Sequence, residues 1–165
     1  MSVLLRSLIG MAVCVFLFTS SAIAQDSATP EEVVQKSKDA AAFLAKEGEA
    51  GLAQFNDPKG PWAWKDTYVF VYDCAAMKLV GHPKASLIGL EPDKLKDAKG
   101  SFISIDLCGA VQDADSGWAE YFWPKPGQDT PSRKISYMLK VPGQPYTVGA
   151  GIYHDTLTAD ELNKK

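Results

Sequence analysis

Hydrophobic and polar positions change period along this chain, and the changes mark its elements. Val33, Val34, Ser37, Ala40, Ala41 and Leu44 recur at the spacing of one helix face. Thr29-Pro30-Glu31-Glu32 precedes them as a helix start, with a threonine cap, proline at the first position and two acids in the first turn. Gly48 and Gly51 weaken the pattern before Leu52 and Phe55, and Asn56-Asp57-Pro58 ends it. One helix is therefore expected over about 30–55.

From Thr67 to Asp73 the period drops to two. Tyr68, Phe70 and Tyr72 fall on one side, Val69 and Val71 on the other. Both sides are apolar, which predicts a central strand covered on both faces. Lys78 to His82 is its hairpin partner through Cys74-Ala75-Ala76-Met77, stopped by Pro83. Lys84 to Gly100 is polar, with Leu87, Ile88, Leu90 and Leu95 as anchors, and reads as a packed loop or short helical turns. Phe102 to Val111 carries Ile103, Leu107 and Val111 on one helical face. Three more strands are expected at Trp118–Trp123, Lys134–Val141 and Tyr146–Tyr153, joined by proline-glycine links and hence antiparallel. Thr158 to Leu162 predicts a short terminal helix. The sum is an α+β domain, a long N-terminal helix packed on a five-stranded antiparallel sheet spanning about 67–153. Twelve of the seventeen aromatic residues fall in 61–73 and 117–153, so the sheet should carry an aromatic face.

The first 24 residues follow a different grammar. Arg6 supplies a basic start, Leu8 to Phe18 an apolar run, and Ala22-Ile23-Ala24 a small-residue cleavage site, as in a secretory signal peptide cleaved after Ala24. The run is shorter than the ~20 residues that span a bilayer, so an uncleaved anchor is the lesser reading. Residues 25–165 then form the exported domain, periplasmic or secreted. Losing Arg6 and no acid takes the net charge from −3 to −4, and no basic run offers a surface to nucleic acid. Cys14 leaves with the signal, while Cys74 and Cys108 remain. In an oxidising compartment a disulfide is the favoured reading over a reactive thiol, since neither cysteine has a histidine nearby in sequence. Closing that loop would stabilise the fold by about 3–4 kcal/mol.

Several short motifs are more specific than the periodicity. They are Gly60-Pro61-Trp62 with Trp64 and Asp66, then Tyr68-Val69-Phe70-Val71-Tyr72-Asp73, His82-Pro83, Leu87-Ile88-Gly89, and Leu95 with Asp97 and Gly100. Gly117-Trp118, Tyr121-Phe122-Trp123-Pro124-Lys125-Pro126-Gly127, Lys134-Ile135-Ser136-Tyr137 and Val148-Gly149-Ala150-Gly151-Ile152-Tyr153 complete the series. In these residues the chain resembles a single Cache domain of the second type, the extracytoplasmic PAS-like sensor fold of chemoreceptors and sensor kinases. The resemblance covers nearly all of residues 25–165. It implies binding of a small organic molecule, often a carboxylate. The sequence ends about a dozen residues after the last expected strand. The resemblance therefore implies a report through a partner, such as a membrane receptor, kinase or transporter, with no second span or signalling module on this chain.

A site for a small acid needs a cation and a few donors among apolar walls. The candidates are Trp64 as a lid, Tyr72 and His82 on the hairpin, Trp118 and Tyr121 on the next strand, and Arg133, Lys134 and Tyr137 on the fourth. Each has a plainer reading. Tyr72 and Tyr137 equally suit a core with satisfied hydroxyls, and His82 at a strand end suits a backbone hydrogen bond. Arg133 and Lys134 suit charges guarding a sheet edge. Catalytic patterns are missing: His82 and His154 lie far apart, and there is no HExxH, paired CxxC or Cys-x-x-Cys-His. Gly149-Ala150-Gly151 lacks the third glycine and following helix of a dinucleotide loop. Neither an enzyme nor a bound cofactor is expected. The alternative to a ligand-binding sensor is a ligand-free protein–protein interaction module of the cell envelope, with a filled core and an exposed aromatic patch including Trp62 and Trp64.

Overall fold

A computed structural model describes residues 26–165. The segment 1–24 read as an export signal lies outside the described residues. Helix α1, Pro30–Glu47, begins at the expected cap: the Thr29 hydroxyl accepts from the Glu32 N–H, and the Glu32 carboxylate accepts from the Thr29 N–H. Its Val33, Ser37, Ala40, Ala41 and Leu44 face the protein and are buried. At Gly48 the helix tightens into a 3₁₀ segment, Gly48–Asn56, which continues to Phe55 in the core. The single helix expected over about 30–55 is thus two pieces, divided at the glycine.

All five expected strands form, plus a two-residue strand that the pattern is too short to reveal. In chain order they are β1 (Ala63–Trp64), β2 (Thr67–Asp73), β3 (Lys78–Gly81), β4 (Ser116–Pro124), β5 (Pro131–Lys140) and β6 (Tyr146–Tyr153). β4 and β5 run a residue or more past the expected limits, reaching the prolines of their connecting link. Every pairing is antiparallel and the order is β1-β2-β6-β5-β4, with β3 on the same edge of β2 as β1. β2 is therefore interior, as its two apolar sides require.

The alternation sorts the sheet into two cores. On one face Val69, Val71, Ile135, Val148, Ala150 and Ile152 pack under α1. On the other, Phe70, Tyr72, Tyr121 and Met138 meet a cover of Leu79, Leu95 and helix α2, Ile103–Gly109, through Ile103 and Leu107. The cover includes two 3₁₀ turns, Ala85–Leu87 and Pro92–Lys94, in the expected packed-loop region. A Cys74–Cys108 disulfide, with Cα atoms 5.5 Å apart, ties the end of β2 to α2. Helix α3, Ala159–Asn163, starts at a second capping box on Thr158 and closes the end beside β4.

Candidate functional site

The loop-covered face is built by four strands whose alternate residues point the same way. β2 contributes Tyr68, Phe70 and Tyr72, β4 Tyr121 and Trp123, and β5 Lys134 and Ser136, while β6 contributes Gly149, Gly151 and Tyr153. The two glycines have a steric reason. A Cβ on Gly149 would stand 2.5 Å from the Phe70 ring, and one on Gly151 2.9 Å from Cε of Lys134. Bare backbone at these points lets the ring and the lysine stem lie against β6.

Lys134 is fully buried, and no described group accepts a hydrogen bond from its Nζ. Its neighbours are rings: Tyr68 with its centroid at 4.1 Å, Tyr153 at 5.3 Å and Phe70 at 5.5 Å. Burial pushes the amine down to about 7, with the Asp66 carboxylate pulling the other way. Asp66 is itself buried, and its Oδ2 has no hydrogen-bond partner among the described residues. Its Oδ1 accepts from the Ala28 N–H at 2.9 Å, and its Oδ2 lies 3.8 Å from Nζ of Lys125. The site thus holds a cation-forming group with no partner of opposite charge in hydrogen-bonding reach.

His82 follows β3 and closes this face from above. Its Nδ1 accepts the Lys84 N–H at 2.8 Å, so the neutral ring carries its proton on Nε2 and can donate from there. Burial, and then the charge of Lys134, push the imidazole down to about 3. Tyr121 sits directly opposite Lys134 in the β4–β5 register, its hydroxyl 3.2 Å from Oγ of Ser136. Burial raises the Tyr68, Tyr72 and Tyr121 hydroxyls, so all three stay protonated donors at neutral pH.

Two spaces adjoin these groups. A small inner cavity of ≈ 20 Å³ lies between the sheet and its cover, lined by Tyr68, Phe70, Tyr72, His82, Tyr121 and Trp123 with leucine and isoleucine side chains. An open cleft of ≈ 680 Å³ lies outside it, between Trp64–Lys65, His82–Lys84 and the Trp123–Asp129 link. Tyr68, His82 and Trp123 border both spaces. The His82 ring stands edge-on to Tyr68 at 4.8 Å, and the Trp123 Nε1–H donates to the Tyr68 hydroxyl at 2.9 Å. Lys134 itself lines neither space. It lies against Tyr68 and Phe70, which do, so these rings stand between the amine and the cavity.

Of the residues singled out in the sequence, Tyr72, His82, Tyr121 and Lys134 come together on this face, and Trp64 borders the outer cleft with Lys36 over its ring. Arg133, Trp118 and Tyr137 do not join them. Arg133 is adjacent to Lys134 and Tyr137 is three residues on, so strand alternation turns both to the opposite face. Tyr137 packs tilted against Trp118 with ring centroids 5.2 Å apart, and the Trp118 backbone is held by Asn163 of α3. Arg133 donates to the carbonyls of His154, Asp155 and Leu157 and pairs with Glu120, fixing the chain after β6. Sequence reasoning passed over Tyr68, Trp123, Tyr153 and Asp66 as site residues. The first two share phase with Tyr72 and Tyr121, which was signal enough, whereas Asp66 and Tyr153 are placed by tertiary pairing alone.

One buried amine, a neutral imidazole N–H and tyrosine hydroxyls among apolar walls suit a single carboxylate with a short apolar tail. No group of three or more His, Cys, Asp or Glu side chains placed to hold a metal occurs among the described residues.

Comparison with known proteins agrees with this fold. A family model described as Cache domain matches residues 62–158. The chain is 27% identical over 96 residues to the methyl-accepting chemotaxis protein McpP of Pseudomonas putida, covering 58% of this chain and 18% of that protein. It is 32% identical over 96 residues to the sensor histidine kinase MctS of Rhizobium johnstonii, covering 58% and 20%. The chain therefore spans about a fifth of the length of the curated relatives it matches. Among solved structures, a Cache chemosensory domain described for carboxylic acid recognition shares the fold at TM-score 0.63 and 23% identity, over 76% of this chain and 92% of that one. The periplasmic sensor domain of a chemotaxis protein follows at TM-score 0.55 and 26% identity, over 71% and 85%.

Proposed function

The chain belongs to the Cache domain family, and on that footing we propose that it binds a small organic acid on the loop-covered face and signals its presence through a partner protein. The observation that carries this reading is Lys134, a fully buried amine without a hydrogen-bond acceptor, walled by aromatic rings beside a cavity. Burying such a group is costly unless something pairs with it. A carboxylate would supply the acceptor, with Nε2–H of His82 and the Tyr121 hydroxyl as further donors. Relatives that are chemoreceptors or sensor kinases support a sensory role, and the carboxylic acids recognised by the related Cache structure support the ligand class. Residues 1–24 would direct export, leaving 25–165 as the domain, outside the cytoplasm. No helix among the described residues is long and apolar enough to cross a membrane.

A second reading, a ligand-free interaction module, draws on the inner cavity being only ≈ 20 Å³. It leaves the unpartnered amine without a reason. Trp62, which that reading exposes, stacks on Phe55 at 5.1 Å beneath Lys36. A thermal-shift screen of short carboxylates, amines and amino acids separates the two. A carboxylate at a hundredfold its Kd adds about 2.7 kcal/mol of stability. If no compound raises the melting transition, the ligand-free module is the correct reading.

A further inference from the structure

We infer that the acid enters the Lys134 site together with one proton, so that the affinity of this sensor depends on the pH outside the cell. The inference rests on the carboxylate reading above and adds a regulation to it. The groups facing Lys134 can be enumerated element by element. Tyr68 and Phe70 come from β2, Tyr121 from β4 and Tyr153 from β6, while His82 approaches from the cover. Asp66, at the turn into β2, is the one carboxylate acting on the amine, and it is engaged by the Ala28 N–H and faced by Lys125.

Ligand-free, an ammonium here would have ring faces and no anion in hydrogen-bonding reach, and burial outweighs the distant pull of Asp66 to drive the proton off at around neutral pH. A carboxylate brought within hydrogen-bonding distance reverses that balance, because opposite charges in a dry site hold the proton in place. The step balances simply: the neutral amine, one solvent proton and the carboxylate become an ammonium–carboxylate pair, with no bond to carbon made or broken. Nothing else facing the site takes up that proton. The imidazole resists protonation until about 3, and the three tyrosine hydroxyls are already protonated.

Titration calorimetry on the intact domain tests this, with acetate as the probe and formate and propionate in parallel. Each is run in phosphate and in Tris, whose heats of ionisation differ. With the free amine titrating near 7, uptake should be about 0.9 proton per acetate at pH 8 and about 0.1 at pH 6. The Kd should rise about tenfold from pH 8 to 9 and change less than about twofold from pH 5.5 to 6.5. His82→Gln should keep the proton count at pH 8. Binding with the same Kd from pH 6 to 9 and no proton uptake overturns the linkage while leaving the carboxylate site intact. Proton uptake that disappears in His82→Gln, with binding retained, places the proton on the imidazole and also overturns it. If none of the three acids binds, the carboxylate reading and the linkage fail together.

Discussion

Replacing Lys134 by methionine keeps a long unbranched stem, removes the amine, and should stabilise the ligand-free protein. In the folded state the amine is held at about 7 against its ordinary 10.5, through burial. The unfolded chain therefore binds the proton more tightly, and protonation favours unfolding at neutral pH. At about 1.36 kcal/mol per pH unit, that gap amounts to about 4–5 kcal/mol against the folded protein at and below pH 7. The rings around Nζ return about 1–2 kcal/mol through cation–π attraction, so a net gain of about 2–4 kcal/mol is expected for Lys134→Met at pH 7. The sign fixes the pH dependence. A cation depressed by folding destabilises most below its folded value, and the wild type recovers as pH rises from 7 toward 10.5. Urea unfolding followed by tryptophan fluorescence, on protein stripped of ligand by unfolding and refolding, should place the variant's midpoint about 1–2 M higher at pH 7. By pH 9.5 most of that difference should be gone. A variant less stable than wild type at pH 7, or a difference that ignores pH, would refute the reasoning.

Other consequences follow from the same structure. Substituting both Cys74 and Cys108 by alanine opens a loop of sequence separation 34 between β2 and α2; the loss should be about 3–4 kcal/mol, read by urea unfolding. Gly149→Ala places a Cβ 2.5 Å from the Phe70 ring and 2.6 Å from the Met138 sulfur, and the crowding should lower Tm by about 3–10 °C. His82 resists protonation when folded, so its contribution is complete above its ordinary 6.5 and is lost as pH falls toward about 3. By pH 5 that loss should reach about 2 kcal/mol, and His82→Gln should remove this component of acid unfolding.

Much of the fold was legible because period and punctuation agreed. The Thr29 cap, the two apolar sides of β2 and the proline-glycine links each specified an element without tertiary information. The break of the first helix at Gly48 was visible only as a weak residue, and β1 is too short to leave a periodic trace. At the site, alternation was the decisive signal and was used incompletely. Grouping Lys134 with Arg133 and Tyr137 mixes two faces, because residues one or three apart on a strand point to opposite sides. The same rule turns Arg133 away and brings Tyr68 and Trp123 in. Asp66 had no such signal: a single carboxylate in a turn shows its burial only once Ala28, ahead of the α1 cap, folds onto it.

The central claim is that Lys134 is buried to hold a ligand carboxylate. A crystal structure of the domain grown with saturating acetate tests it most directly. The prediction is a carboxylate oxygen about 2.7–2.9 Å from Nζ of Lys134, with the Tyr68–His82–Trp123 wall displaced to admit it. Acetate found only in the outer cleft or beside Trp118 and Tyr137, with the amine still enclosed by its three rings, would contradict the account.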